Sequence, residues 1–284
     1  MKGFTSRAIH CATVKKDAHG ALRMPLYENV AFEFENTRAL QFAFEGRSLG
    51  HSYTRISNPT VEDLEQRIRI LTDALGVVAV SSGMAAIAEV VLVLAEAGAN
   101  IISTKYLFGN TYSLFEHTLK PWGLEVNYLD LAQTQNLEKA INAKTRAIFV
   151  ESITNPQLQV VDIEKISKIA AAAHVPVVLD GTVTTPYLFK SKDFGVAVEV
   201  LSSTKYMSGG ATTVGGLIID NGIQDWGKCP RLEKAAQKYG PHALLAHLRR
   251  EAHRNLGSCM TPHNAYMQSL GLETLALRID RSCE

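Results

Sequence analysis

The chain has 284 residues, 46% of them hydrophobic and 20% charged, with a formal net charge of +1. That length can bury a large core in one or two domains, and so small a net charge gives no pull toward nucleic acid or an anionic membrane surface. The apolar stretch over 85–95 is broken by Glu89 and is too short to span a bilayer, and the first residues, MKGFTSRAIHCATVKKDAHG, lack the apolar segment of a secretory signal.

In chain order, residues 1–60 have no long periodic run and are expected to be irregular. Val61, Leu64, Ile68 and Leu71 recur on one face and predict a helix over 61–71. The apolar run 76–80 reads as a strand, and SSGM at 81–84 opens an alanine-rich helix ending near Gly98. A strand over 100–103, a helix over 111–119 and a strand over 124–128 follow. Next come a short helix over 137–141, a strand over 146–150 and a helix over 163–173. Strands over 175–179, 198–201 and 216–219 complete the pattern. The strands are continuous apolar runs that alternate with helices, which predicts an α/β fold with a mainly parallel sheet and helices on both faces. No internal repeat or low-complexity segment is present.

In such a sheet, ligands bind beyond the carboxyl ends of the strands. Several chemically loaded residues fall there. Lys205 follows the run ending at Leu201, within SSTKYMSGG. A lysine at the end of a buried strand is driven toward its neutral form, and a neutral amine attacks an aldehyde to form a Schiff base. The hydroxyls of Ser202, Ser203 and Thr204 suit phosphate oxygens, so the segment points to pyridoxal 5'-phosphate (PLP). Ser82 and Gly83 precede a helix, whose N-terminus stabilises a phosphate, although the same serine serves equally as a plain helix cap. Asp180 ends VPVVLD, where a carboxylate can keep a pyridine nitrogen protonated, or can simply form a turn. Tyr53 and Arg55, in HSYTRISNPT, offer a phenol and a bidentate cation for phosphate, on an arm that could pack on another subunit or lie on the surface. Phe108 and Tyr112 could stack on a planar ring or pack in the core. Asn155, in ESITNPQ, could bond a cofactor hydroxyl or a substrate carboxylate. No GxGxxG or GxxxxGK[ST] pattern supports a nucleotide site. Cysteines 11, 229, 259 and 283 form no CxxC pair and no ligand spacing, so free thiols, no metal site and a cytoplasmic location are expected.

Six ordered segments, YTRISNPT, SSGMAAI, ESITNP, LDGTVTTPY, SSTKYMSGG and the N-terminal PLYENVAFEFEN, resemble the PLP-dependent cysteine and methionine metabolism family. The resemblance implies a type I PLP-dependent transferase fold, similar to aspartate aminotransferase. It implies that Lys205 binds PLP, that Asp180 pairs with the ring nitrogen, and that Gly83, Met84, Ser202 and Thr204 hold the phosphate. It also implies that Tyr53 and Arg55 complete the phosphate site of a neighbouring chain in a homodimer or homotetramer. Residues 1–58 resemble an N-terminal arm, 59–255 the large PLP-binding domain, and 256–284 the start of a C-terminal domain that is not continued.

Within the family, LFGNTYSLF and GGATTVGGLIID look most like O-acetylhomoserine sulfhydrylases. These take a small amino-acid substrate, with sulfur from free sulfide or from a sulfur-carrier protein. Phe108 stands where many relatives have a tyrosine; it can stack but cannot donate a proton, which suits a substrate that releases acetate. The arginine that clamps the substrate carboxylate has no matching position, so the chain is expected to bind PLP but to turn over poorly; full activity would mean that another residue, Asn155 or Arg278, takes over the carboxylate. The same resemblance leaves a cystathionine γ-synthase, a γ-lyase or an inactive PLP-binding protein as alternatives. Gly181 replaces the asparagine usual after the aspartate.

Overall fold

Seven of the apolar runs become strands of one sheet: β1 Gly76–Val80, β2 Asn100–Ser103, β3 Glu125–Tyr128, β4 Thr145–Glu151, β5 Val177–Asp180, β6 Val198–Leu201 and β7 Gly216–Asp220. The structure, a computed structural model, describes residues 3–10, 19–48 and 50–284; Cys11 lies outside them. The strand order is β1-β7-β6-β5-β4-β2-β3. The five strands from β6 to β3 run parallel, while β7 is antiparallel to both β6 and β1. The expectation of a mainly parallel sheet therefore holds, with one reversed strand. β7 follows β6 through a loop and needs no helical crossover, so the chain can return alongside it in the opposite sense.

Side-chain alternation sends each strand into two cores. Val78 and Val80 pack with α4 (Gly83–Leu94) through Val90, Val91 and Leu94. Val77 and Ala79 face the opposite way, onto α3 (Pro59–Thr72) through Leu64, Ile68 and Leu71. Leu64 and Ile68 are sealed from water, a burial that contributes roughly 1.5–3 kcal/mol for each side chain. A third cluster joins β4 and β5 to α6 (Ile163–Ala172) through Ile148, Val177 and Ile166. α3 starts where the side chain of Asn58 accepts the Thr60 N–H at 2.9 Å, with Pro59 at the first turn.

The first sixty residues are less irregular than expected: Phe4–His10 (α1) and Thr37–Phe44 (α2) are helical. Both are too short for a periodic pattern to stand out. The helix expected over 111–119 begins earlier, as α5 (Gly109–Ser113), and widens to a π-type turn over Leu114–Leu119. The strand expected over 175–179 runs Val177–Asp180, so Asp180 is the last strand residue. Two further helices, Pro262–Glu273 and Leu275–Cys283, pack on the α3 face through Ala265, Leu272, Leu275 and Ile279. Among the described residues, no helix is long and apolar enough to cross a membrane.

Candidate functional site

A cavity of about 300 Å³ opens at the carboxyl ends of the parallel strands. Ser82, Gly83, Met84, Phe108, Asn155, Asp180, Ser202, Thr204 and Lys205, nine of the predicted positions, line it. Glu151, Thr182 and Val214, not singled out from the sequence, line it as well.

α4 starts at this cavity. Ser82 is its N-cap, with Oγ accepting the Ala85 N–H at 3.1 Å, so the plain-cap reading of this serine holds too. A Cβ on Gly83 would lie 2.6 Å from the Ser202 Cβ, so only glycine lets the helix start sit against the end of β6. The result is a cradle in which unpaired helix N–H groups and the Ser202 hydroxyl share one corner, a place where a phosphate dianion is stabilised. Thr204 is committed elsewhere: its hydroxyl donates to the Gly215 carbonyl at 3.1 Å and accepts the Gly215 N–H at 3.0 Å.

Asp180 ends β5. Its Oδ1 accepts the Thr182 N–H at 3.0 Å and the Thr182 hydroxyl at 2.5 Å. The Thr182 oxygen in turn accepts the Ser202 N–H at 2.8 Å, so one threonine orients the carboxylate and ties the ends of β5 and β6 together. Burial pushes the Asp180 carboxyl above the usual carboxylate range, against the opposing pull of the Thr182 bonds. Both bonds fall on Oδ1, which leaves Oδ2 for a cationic donor in the cavity. A protonated pyridine nitrogen is such a donor, and with the Gly83 cradle it makes the residues present fit PLP.

Glu151, at the end of β4, holds the opposite wall. Its Oε1 accepts the Phe108 N–H at 2.6 Å and its Oε2 the Asn155 N–H at 3.2 Å. Burial drives its carboxyl up to about 7, opposed by the Phe108 N–H and reinforced by the charge of Asp180. The signal was present in ESITNP, where a glutamate closes an apolar strand.

Several expectations need correction. Lys205 is exposed, so burial is not what marks it out; its place at the cavity does. Tyr53 and Arg55, expected to serve a neighbouring chain, do not line the cavity of their own, so that expectation needs no correction. Both are exposed, the Arg55 guanidinium lies 5.3 Å from the Tyr53 ring centre, and it donates to the Arg254 carbonyl at 2.6 Å. The Tyr112 ring packs at a tilt against Tyr128, with ring centres 5.5 Å apart, and does not line the cavity. Arg278 is not free for a carboxylate: it donates to the carbonyls of Tyr206 and Gly271 at 2.6 and 2.7 Å and to the Thr274 hydroxyl at 3.1 Å. Gly181 has a structural reason: a Cβ there would run into the Glu199 carboxylate, which is buried inside β6.

Among the described residues, no group of three or more His, Cys, Asp or Glu could hold a metal ion. A family model described as Cys/Met metabolism PLP-dependent enzyme matches residues 5–284. The chain is 52% identical to the O-acetylhomoserine sulfhydrylase of Wolinella succinogenes, over 81% of this chain and 66% of that one, with a TM-score of 0.76. A Campylobacter jejuni structure that carries N'-pyridoxyl-lysine-5'-monophosphate at its position 205 superposes with a TM-score of 0.93 at 33% identity, over 99% of this chain and 73% of that one. The homocysteine/cysteine synthase of Kluyveromyces lactis is 34% identical over 98% of this chain. The chain spans 66%, 63% and 64% of the length of the first three curated relatives it matches. These neighbours share its type I fold, and the chain belongs to the family of PLP-dependent enzymes of cysteine and methionine metabolism.

Proposed function

We propose that the chain performs PLP-dependent γ-replacement on O-acetyl-L-homoserine with sulfide, giving homocysteine and acetate. The observation that carries this reading is the convergence of Lys205, Asp180 and the Gly83 helix start on one cavity. The high identity to a sulfhydrylase supports the substrate class. PLP, when bound, supplies an electron sink for the pair left behind when a proton leaves the substrate α-carbon. Lys205 is the amine that lines the cavity, and its Nζ takes that proton and returns one later. Asp180 would hold a proton on the ring nitrogen of bound PLP, which strengthens that sink. Glu151 fixes the backbone of Phe108 so that its ring forms one wall. Phe108 has no hydroxyl to protonate a leaving group, which favours acetate over an amine or a thiolate. In the net exchange the γ-carbon loses its bond to acetate oxygen and gains one to sulfur, and the sulfide proton leaves with the acetate.

Gly83, Met84 and Ser202 are read as the phosphate holders. Tyr53 and Arg55, exposed and away from their own cavity, are read as completing the site of a second copy in a homodimer or homotetramer. All the cavity residues fall within 59–255, which supports that span as the cofactor-binding unit, with 1–58 as an arm and 256–284 as the start of a further domain. The thiols of Cys229, Cys259 and Cys283 are free, in keeping with a cytoplasmic enzyme.

The test is a panel of O-acetylhomoserine, O-succinylhomoserine, cystathionine and methionine on the PLP-loaded protein. Sulfide and a thiocarboxylated carrier protein are offered in turn as sulfur donors. O-acetylhomoserine should outpace the rest. Robust cystathionine or methionine cleavage would overturn the assignment.

A further inference from the structure

The loop that carries Lys205 runs from the end of β6 at Leu201 to the start of β7 at Gly216, with no strand of its own. Left-handed backbone at Gly209 (φ 88) and Ala211 (φ 56) bends its middle. Inside the loop, the Ser208 hydroxyl donates to the Thr204 carbonyl at 2.8 Å and the Thr212 hydroxyl to the Ser208 carbonyl at 2.9 Å. These bonds span four residues each and tie the loop only to itself. Its anchors to the rest of the molecule come largely from the two helices nearest the C-terminus.

Those anchors line up along the loop. Asn264 Nδ2 donates to the Val214 carbonyl at 2.9 Å, and Gln268, one turn further along the same helix, donates to the Thr213 hydroxyl at 3.4 Å. Gly271 comes so close that a Cβ there would run into the carbonyl of Met207. Arg278 closes the set. One Nη donates to the carbonyl of Tyr206, the residue next to Lys205, and the other to the carbonyl of Gly271. A rigid guanidinium fork thus joins the lysine loop to the helix beneath it, which a lysine at that position could not do with a single nitrogen.

We propose that Arg278 is a positioning residue for Lys205, fixing the direction of the lysine by locking the neighbouring Tyr206 carbonyl to the helix Pro262–Glu273. The assignment rests on the reading that Lys205 bonds PLP. Each bond of the fork joins a cation to a neutral carbonyl, and burial lowers the proton affinity of the guanidinium, as expected for a group drawn from water into such a clamp. The hydrogen-bond partners of the Arg278 side chain, Tyr206, Gly271 and Thr274, do not line the cavity, so its effect passes through the backbone.

The experiment compares wild type with Arg278→Ala, Arg278→Lys, Asn264→Ala and Ile166→Val, each loaded with PLP. Ile166 lies in a separate core cluster and serves as a control for lost stability alone. Three quantities are read: the borohydride-fixed pyridoxyl label by peptide mapping, the induced circular dichroism of the visible band per bound PLP, and the rate of PLP release. Wild type should carry the label on Lys205. Both Arg278 variants should lose most of the induced dichroism and release PLP about tenfold faster, the scale of one lost hydrogen bond to a charged group. Asn264→Ala should show a smaller change in the same direction. Ile166→Val should keep the wild-type dichroism even where its melting temperature falls. If Arg278→Ala does not fold, Arg278→Lys and Asn264→Ala still decide the matter. Wild-type dichroism and release in those variants would overturn the role of Arg278. A wild-type label on some other lysine would overturn the cofactor reading, and this assignment with it.

Discussion

Glu199 sits in the middle of β6, almost fully buried, with its Oε2 accepting the Ser191 hydroxyl at 2.5 Å and its Oε1 without a partner. Burial raises its carboxyl to about 7, and the charge of Asp180 adds to the shift. A carboxyl with a raised folded-state value binds its proton more tightly in the folded chain. Its contribution is full below the unfolded value near 4.5 and is lost as pH rises through about 7. Glu199→Gln cannot ionise, so its melting temperature relative to wild type should become more favourable between pH 5 and pH 8. A difference that stays flat across a pH series of thermal melts would contradict this. The contact with Gly181 gives a second expectation. Gly181→Ala should destabilise by about 1–3 kcal/mol through overpacking. The loss should be largely relieved in Gly181→Ala/Glu199→Ala, and urea unfolding of the four proteins measures the coupling. At the reacting amine, Lys205→Ala should abolish the borohydride label and lower turnover by more than about 100-fold, as loss of a general acid–base does.

The start of α4 is where an element becomes a binding feature. The Ser82 cap, the Gly83 contact with Ser202 and the apolar residues that seat the helix on β1 all act over one turn. Ser82→Ala should cost about 1 kcal/mol of stability and Ser82→Gly only a few tenths, as judged by urea unfolding. Gly83→Ala should do more than destabilise. It pushes the helix start away from β6, so PLP affinity, measured by equilibrium dialysis, should fall more than for either Ser82 variant. The helix itself was legible in SSGM followed by an alanine-rich run, because cap, glycine and apolar run are all local signals. The helix expected over 111–119 was legible too, but its start at Gly109 and its π-type continuation were not, because a widened turn leaves the side-chain spacing close to that of an ordinary helix.

Across the whole molecule, the exposed arm residues bear on assembly. Arg55→Ala should weaken PLP retention although Arg55 lies outside the cavity of its own chain. A complementation assay is decisive. Arg55→Ala chains keep their lysine, and Lys205→Ala chains keep their arginine, so a mixed assembly contains a site with both. Mixing the two inactive proteins should restore part of the activity. If the mixture stays inactive while both proteins bind each other, the arm does not complete a partner's site. Sedimentation of the PLP-saturated protein should show no monomer.

The sequence by itself determined the layered α/β architecture, because continuous apolar runs and 3.6-residue periodicity are carried by nearest neighbours along the chain. It also brought Lys205, Asp180 and Gly83 to one cavity, since each lies at or just after the end of a strand and a parallel sheet gathers such ends on one edge. Only the tertiary structure decided the reversed β7, because strand direction depends on pairing partners distant in the chain. It alone gave the reason for Gly181, since the Glu199 side chain that fills the space comes from the adjacent strand. It likewise moved Arg278 from the substrate to the lysine loop and turned Glu151 into the anchor of Phe108. The exposure of Lys205 was also beyond the sequence, because it depends on where a fourteen-residue loop, 202–215, carries its backbone once it has left the sheet.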